Sequence, residues 1–250
     1  METKADTKKD AKPQETKLSK NEKAVEAKKP FTQKLSDFFT KNRTPLLIGI
    51  IVILAVLVVV CVYSIVSNSM VQNSSRAMEE VRTKITEWSA ETDQTKKDTS
   101  EKTIQNDLDA IVKKWPKSFA AQESLYAKST IAASKKDWPN TEKYAVEAAE
   151  RSPKTYLAPI ALEAAAVAAE EQGSADKAIE YYNRIVANYK VDTPNLPHAY
   201  FALGRLAEGK SDWKAALDNY QKLIADFPDS DWSKLAKDRV VYLNAIGRGK

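Results

Sequence analysis

"HAYFALGRLAEGKSDWKAALDNYQKLIADFPDS", His198 to Ser230, holds two helical hydrophobic patterns separated by the turn "GKSD". Tyr200, Leu203 and Ala207 recur at helical spacing in the first half, and Ala216, Tyr220 and Leu223 in the second. Pro228 then closes the stretch, because proline cannot continue a helix. The second pattern occurs twice: "AIEYYNRIVANY" from Ala178 returns as "ALDNYQKLIADF" from Ala216, 38 residues on. Tyr182 thereby matches Tyr220, Ile185 matches Leu223, and Tyr189 matches Phe227. Upstream, "NDLDAIVKKWP" and "EKYAVEAAERSP" end in Pro116 and Pro153, 37 residues apart. A helical unit repeated every 37 or so residues predicts an all-α fold built as an α-solenoid of three to four hairpins.

These residues resemble the tetratricopeptide repeat, a helix–turn–helix unit with an aromatic, a Leu-Gly, small and aromatic positions, and a closing Pro. Tyr200, Leu203, Gly204, Ala207, Asp212, Trp213, Ala216, Tyr220 and Pro228 carry the match. Small side chains at Gly204, Ala207 and Ala216 let two helices approach, while Tyr220 and Leu223 are expected to fill space against the next unit. The preceding unit, from about Ala158, puts Ala165-Ala166 in place of Leu-Gly and Lys190 in place of Pro, followed by an extra "VDTPNLP". An earlier unit, Gln122 to Pro153, keeps Asp137-Trp138 but has Lys128 and Thr141 at packing positions. Val81 to Pro116 is a fourth, more degenerate candidate.

The resemblance implies binding of proteins or peptides along a concave surface lined by the first helix of each pair. Carried over residue by residue, the groove positions are Tyr126 and Thr130, then Glu163 and Val167, then Phe201 and Arg205, with Glu170, His198 and Glu208 at the margins. Repeats that hold acidic chaperone tails place Lys and Asn there; this chain does not. An extended or helical segment of ordinary protein is the expected ligand.

Working towards the N-terminus, residues 67–117 read as a helical linker or degenerate repeat leading into a repeat domain over 118–250. Before them, "LLIGIIVILAVLVVVCVYSIV", Leu46 to Val66, has no charge and no polar stripe. As a helix it spans roughly 31 Å, the thickness of a hydrocarbon core, which predicts a transmembrane helix over 45–66. Lys34, Lys41 and Arg43 precede the span, whereas the first charge after it is Arg76, so the N-terminus is expected in the cytoplasm and the repeats outside. In "FTQKLSDFFTKNR", Phe31, Leu35, Phe38 and Phe39 share one helical face, which predicts an amphipathic juxtamembrane helix over 31–44. Residues 1–30 are Lys-rich, poor in apolar side chains and aperiodic, the composition of a disordered tail.

Composition narrows the function. Residues 1–44 hold 12 of the 39 basic and 7 of the 34 acidic side chains, so the remainder has 27 of each and is formally neutral. A neutral body argues against nucleic acid, which needs a basic face. One cysteine, Cys61, cannot form an intramolecular disulfide, and one histidine, His198, cannot build a multi-histidine metal site. No Gly-rich phosphate loop occurs, so neither an enzyme nor a cofactor is expected. Trp115, Trp138, Trp213 and Trp232 lie near predicted helix ends and read as packing anchors, and Glu170-Glu171 as a solvated helix face.

The whole layout, with "FTQKLSDFFTKNRTPLLIGIIV" leading into Ala-rich repeats, resembles the ancillary translocon-associated tetratricopeptide proteins of the bacterial inner membrane. That resemblance implies a single-pass inner-membrane adaptor or chaperone-like scaffold whose periplasmic array meets translocon subunits or chaperones. The alternative is a self-assembling subunit of an envelope machine. Leu235, Val240, Val241, Leu243 and Ile246 of the last helix cannot all face the preceding repeat, which leaves apolar surface for homo-oligomer contacts.

Overall fold

A computed structural model describes residues 30–189 and 193–248. Among these the chain forms ten helices and no strand: α1 (Phe31–Lys41), α2 (Arg43–Ala90), α3 (Gln94–Lys114), α4 (Phe119–Ser134), α5 (Trp138–Arg151), α6 (Leu157–Glu171), α7 (Ala175–Asn188), α8 (Leu196–Gly209), α9 (Trp213–Asp226) and α10 (Asp231–Ala245). The tail expected over residues 1–30 lies, except for Pro30, outside the described residues, as does Lys190 at the expected proline position. Two compact units divide the chain, residues 1–64 and 65–250.

In the first unit, Pro30 leads into α1, and Phe31, Leu35, Phe38 and Phe39 on it are all exposed. The Asn42 backbone N–H and side-chain amide both donate to the Phe38 carbonyl, at 3.0 and 2.9 Å, closing α1 before α2 begins at Arg43. The apolar first part of α2 is exposed throughout, for example 58% at Leu47 and 67% at Val59. By length and composition α2 suffices to cross a membrane.

Where the sequence reading put a boundary at Val66, α2 runs on to Ala90. Residues 67–90 contain no proline or glycine, so nothing ends the helix there. The pattern changes instead. Ser74, Met78, Val81 and Trp88 become buried, at spacings that define one face.

In the second unit, that face of α2 packs with Ile104, Leu108 and Ile111 of α3 and with Ala120 and Ile131 of α4. Asp93 begins α3 by accepting the Lys96 N–H at 3.1 Å. The salt bridge Lys84–Asp107, 2.6 Å, joins α2 to α3, and Arg82–Glu123, 2.6 Å, joins α2 to α4.

Three hairpins follow: α4–α5, α6–α7 and α8–α9. Each turn has one left-handed residue, Lys136 (φ 59°), Gly173 (φ 71°) and Ser211 (φ 59°), at successive intervals of 37 and 38 residues. The next residue closes the turn each time. Asp137 N–H donates to Ala132, Ser174 to Ala169 and Asp212 to Ala207, at 3.0, 2.8 and 2.9 Å. The Asp137 and Asp212 side chains then cap α5 and α9. The three units therefore share one backbone register, including the α4–α5 unit whose side chains depart furthest from the motif.

Packing runs from neighbour to neighbour. Each helix from α4 onwards meets the next, and longer contacts join α4 to α6 and α8 to α10, the nearest-neighbour logic of a solenoid. Ala178 and Ala216, Tyr182 and Tyr220, and Ile185 and Leu223 are fully buried pairs, as their repetition in sequence predicted. Tyr220 packs within its own unit: a Cβ on Gly204 would meet its ring at 2.4 Å. Ala207 is also buried beside this contact.

The core has two parts. One joins α2, α3 and part of α4; the other runs from Leu125 to Leu243. The α4–α5 hairpin also buries polar side chains, Gln122, Ser124, Lys128 and Ser129 on α4 and Thr141 and Glu142 on α5. These find partners. Gln122 donates to the Ala148 carbonyl, Ser129 to the Thr141 carbonyl, and Lys128 pairs with Asp109 while lying 4.4 Å over the Tyr144 ring.

Candidate protein-binding groove

The left-handed turn residues provide a ruler for the groove positions. Tyr126, Glu163 and Phe201 each lie ten residues before one; Thr130, Val167 and Arg205 lie six before. Glu170 and Glu208 lie three before the second and third turns, with Ala133 in the same place in the first. Eight of the nine candidates thus fall into rows running across α4, α6 and α8, and the ninth, His198, lies one turn nearer the start of α8 than Phe201.

Polar pairs cross these rows. His198 Nδ1 meets the Glu163 carboxylate, Arg205 pairs with Glu170, and Arg239 on α10 pairs with Glu208. In each pair the acid belongs to one helix and the base to the first helix of the next unit. Tyr182 Oη also donates to Glu170 at 3.1 Å, and Tyr220 Oη to Glu208 at 2.6 Å. Two equivalent triads result: Glu170–Tyr182–Arg205 and Glu208–Tyr220–Arg239. Glu170, expected on a solvated face, is instead a structural acceptor. The structure corrects that reading because the Tyr182 hydroxyl, buried beneath α6, needs a partner.

The electrostatics agree. Burial, together with the negative charge of Glu170, pushes the Tyr182 hydroxyl well above the usual phenol range. Burial and the bond to Glu208 do the same for Tyr220. Burial works to raise the Glu208 carboxyl, but the hydrogen bonds from Arg239 and Tyr220 hold it below its ordinary value. Burial, reinforced by the charge of Glu163, raises Tyr126. Near neutral pH these phenols remain protonated donors and the Glu208 carboxylate remains an acceptor.

Aromatic rings fill the space between the triads. His198 stacks on Trp232 at 4.4 Å, Phe201 lies 5.2 Å from Trp232 and 5.6 Å from Tyr220, and Tyr182 meets His198 edge-on at 5.9 Å. Phe201 and Tyr126 are half-buried and packed on the core. Thr130 and Val167 are exposed, with the Thr130 hydroxyl turned back to donate to the Tyr126 carbonyl.

Trp232 and Arg239 were missing from the sequence-derived groove, although they contact its residues. α10 ends in a turn of the same kind, with Gly247 left-handed (φ 76°) and the Arg248 N–H donating to the Leu243 carbonyl at 2.8 Å, but no second repeated helix follows it among the described residues, so the motif did not extend to it. The spacing of Trp232, Leu235, Arg239 and Tyr242, which puts one face of α10 beside α8, was the available signal.

A tetratricopeptide repeat family profile matches residues 161–190 and 198–230, the α6–α7 and α8–α9 hairpins. The chain thus carries tetratricopeptide repeats, the class of helical module that forms protein–protein interaction scaffolds. Among individual proteins, it is similar to a TPR repeat-containing protein of Treponema pallidum (strain Nichols), 29% identical over 136 residues. The match spans 54% of this chain and 56% of that protein.

Proposed function

We propose that this protein is a membrane-anchored adaptor whose repeats bind other polypeptides along the α4–α6–α8–α10 face. The observation that carries the reading is the alignment of Tyr126, Glu163 and Phe201 in one row and Thr130, Val167 and Arg205 in the next. Equivalent positions on successive helices offer one continuous surface to a single segment, as repeat arrays require.

The Leu46–Val66 part of α2 is read as the anchor. Its side chains are exposed and apolar on every side, which in water would be unfavourable, at roughly 25 cal/mol per Å². Lys34, Lys41 and Arg43 favour a cytoplasmic N-terminus and an exported array in an inner membrane. Export-pathway proteins, translocon subunits and chaperones are the partners this layout suggests. The reading includes no catalytic step.

A photo-crosslinking residue in place of Phe201 or Arg205 in the native organism tests the proposal. Capture of export components or exported chains supports it; capture of one fixed envelope assembly replaces it with the second reading. That second reading, a self-assembling envelope subunit, is favoured by one observation: Val241 on α10 is 69% exposed. Leu243 is buried and Val240 half-buried against the preceding helices, so only Leu235, Val241 and Ile246 of the expected apolar set are exposed. A mass that rises with concentration would support self-assembly.

A further inference from the structure

We infer that α10, outside the family-matched repeats, supplies an aromatic-apolar seat at the end of the groove, and that the seat takes an uncharged segment bearing aromatic or large aliphatic side chains. The inference rests on the groove reading above and deepens it by naming the partner's chemistry.

Contacts fix the location. Trp232 stacks on His198 and Phe201, and Arg239 donates to Glu208 from Nε at 3.0 Å, so this face of α10 borders the α8 groove residues. Arg239 stands to Glu208 as Arg205 stands to Glu170. Counted from Arg239 as from Arg205, Leu235 stands where Phe201 does and Tyr242 where Glu208 does. Leu235, Tyr242 and Ile246 recur at i, i+7 and i+11, and are 47%, 49% and 47% exposed. They form a stripe about 16 Å long on a helix rising 1.5 Å per residue.

Charge complementarity selects the occupant. Among the described groove residues, the guanidinium groups of Arg205 and Arg239 are each paired with a carboxylate of the preceding first helix, and the His198 imidazole is hydrogen-bonded to Glu163. An acidic tail would have to displace those carboxylates, leaving Glu170 and Glu208 less compensated beside buried tyrosine hydroxyls. A cationic segment would face guanidinium groups: the side chains of Arg205 and Arg239 are 50% and 40% exposed, against 19% and 11% for their acids. An uncharged apolar segment disturbs neither pair, and gains the exposed parts of Leu235, Tyr242 and Ile246 beside the half-buried Trp232.

The test uses the full chain in nanodiscs and three fluorescent peptides of equal length: one uncharged and rich in Phe and Leu, one with Glu at alternate positions, and one with Lys. The expected result is preferential binding of the uncharged peptide, little changed between low and high salt. Leu235→Glu and Ile246→Glu should each weaken it by about tenfold or more, a hot-spot magnitude, without lowering Tm, because both side chains are exposed. Trp232→Ala should weaken it further, with Trp232→Phe retaining part of the binding. Salt-sensitive preference for the acidic peptide, indifference to all three substitutions, or stripe crosslinks only between copies of the chain would each overturn the inference. If Thr130 and Val167 substitutions weaken binding while the α10 substitutions do not, the groove reading stands and the seat alone falls. If neither group matters, both fall.

Discussion

Ser211 and Lys136 hold left-handed backbone conformations that Gly173 adopts in the equivalent turn. A side chain there costs roughly 1 kcal/mol relative to glycine, so Ser211→Gly should raise Tm by about 2–4 °C in a domain of this size, read by thermal unfolding. Gly204 gives the opposite expectation. Its Cβ would meet the Tyr220 ring at 2.4 Å, and Gly204→Ala should destabilise by about 1–3 kcal/mol through overpacking; an unchanged denaturation midpoint would refute that. The carboxylates add a pH dependence. Burial works to raise Glu142, yet hydrogen bonds from Tyr181, Lys177 and Gln172 hold it below the ordinary carboxylate range, and Glu208 is similarly lowered. Because the folded values are depressed, this stabilisation is present above the unfolded value and lost as pH falls through the folded one. The fall in Tm on acidification should be shallower in Glu142→Gln and Glu208→Gln than in the parent. At the alkaline end, burial and Glu142 raise Tyr181 to about 12, so its contribution is full below pH 10 and lost as pH rises through the folded value.

Helix starts and turns were legible because their causes are local. Asp137 and Asp212 follow left-handed residues and cap α5 and α9, and the same aspartates were visible in "DWPN" and "SDWK". Asp212→Ala should cost about 1 kcal/mol, the usual value of an N-cap, measurable by urea denaturation. The length of α2 was less legible. The apolar run drew attention to Val66 as an end, but a change of hydrophobic pattern does not stop a helix; only a breaker or a cap does. For α10 the motif itself misled: a helix without its own hairpin partner lies outside the repeat pattern, yet it contributes Trp232 and Arg239 to the groove.

Across the helical array, the buried polar side chains of the α4–α5 hairpin predict uneven stability. Residues packed with Met78, Ile104 and Leu108 form one cluster and those around Tyr182, Leu203 and Tyr220 another. Hydrogen exchange should resolve two protected groups, α2–α3 and α6–α9, with lower protection in α5 near Thr141 and Glu142. Uniform protection across α3 to α9 would contradict this. Replacing Lys128 with Met should narrow the difference, since Lys128 is buried and an apolar side chain there avoids the desolvation of an ammonium group.

By itself the sequence determined the helical class, the repeat period of 37 to 38 residues, the buried Tyr182–Tyr220 correspondence and the apolar character of Leu46–Val66. Each follows from composition and periodicity within one or two turns of helix. Tertiary structure alone decided that Glu163, Glu170 and Glu208 meet His198, Arg205 and Arg239, 31 to 35 residues away, and that Trp232 closes the row beside Phe201. Local periodicity places a side chain on a face of its own helix, whereas its partner depends on how the next helix is set against it. That setting is a property of the stacked repeats and the small residues between them.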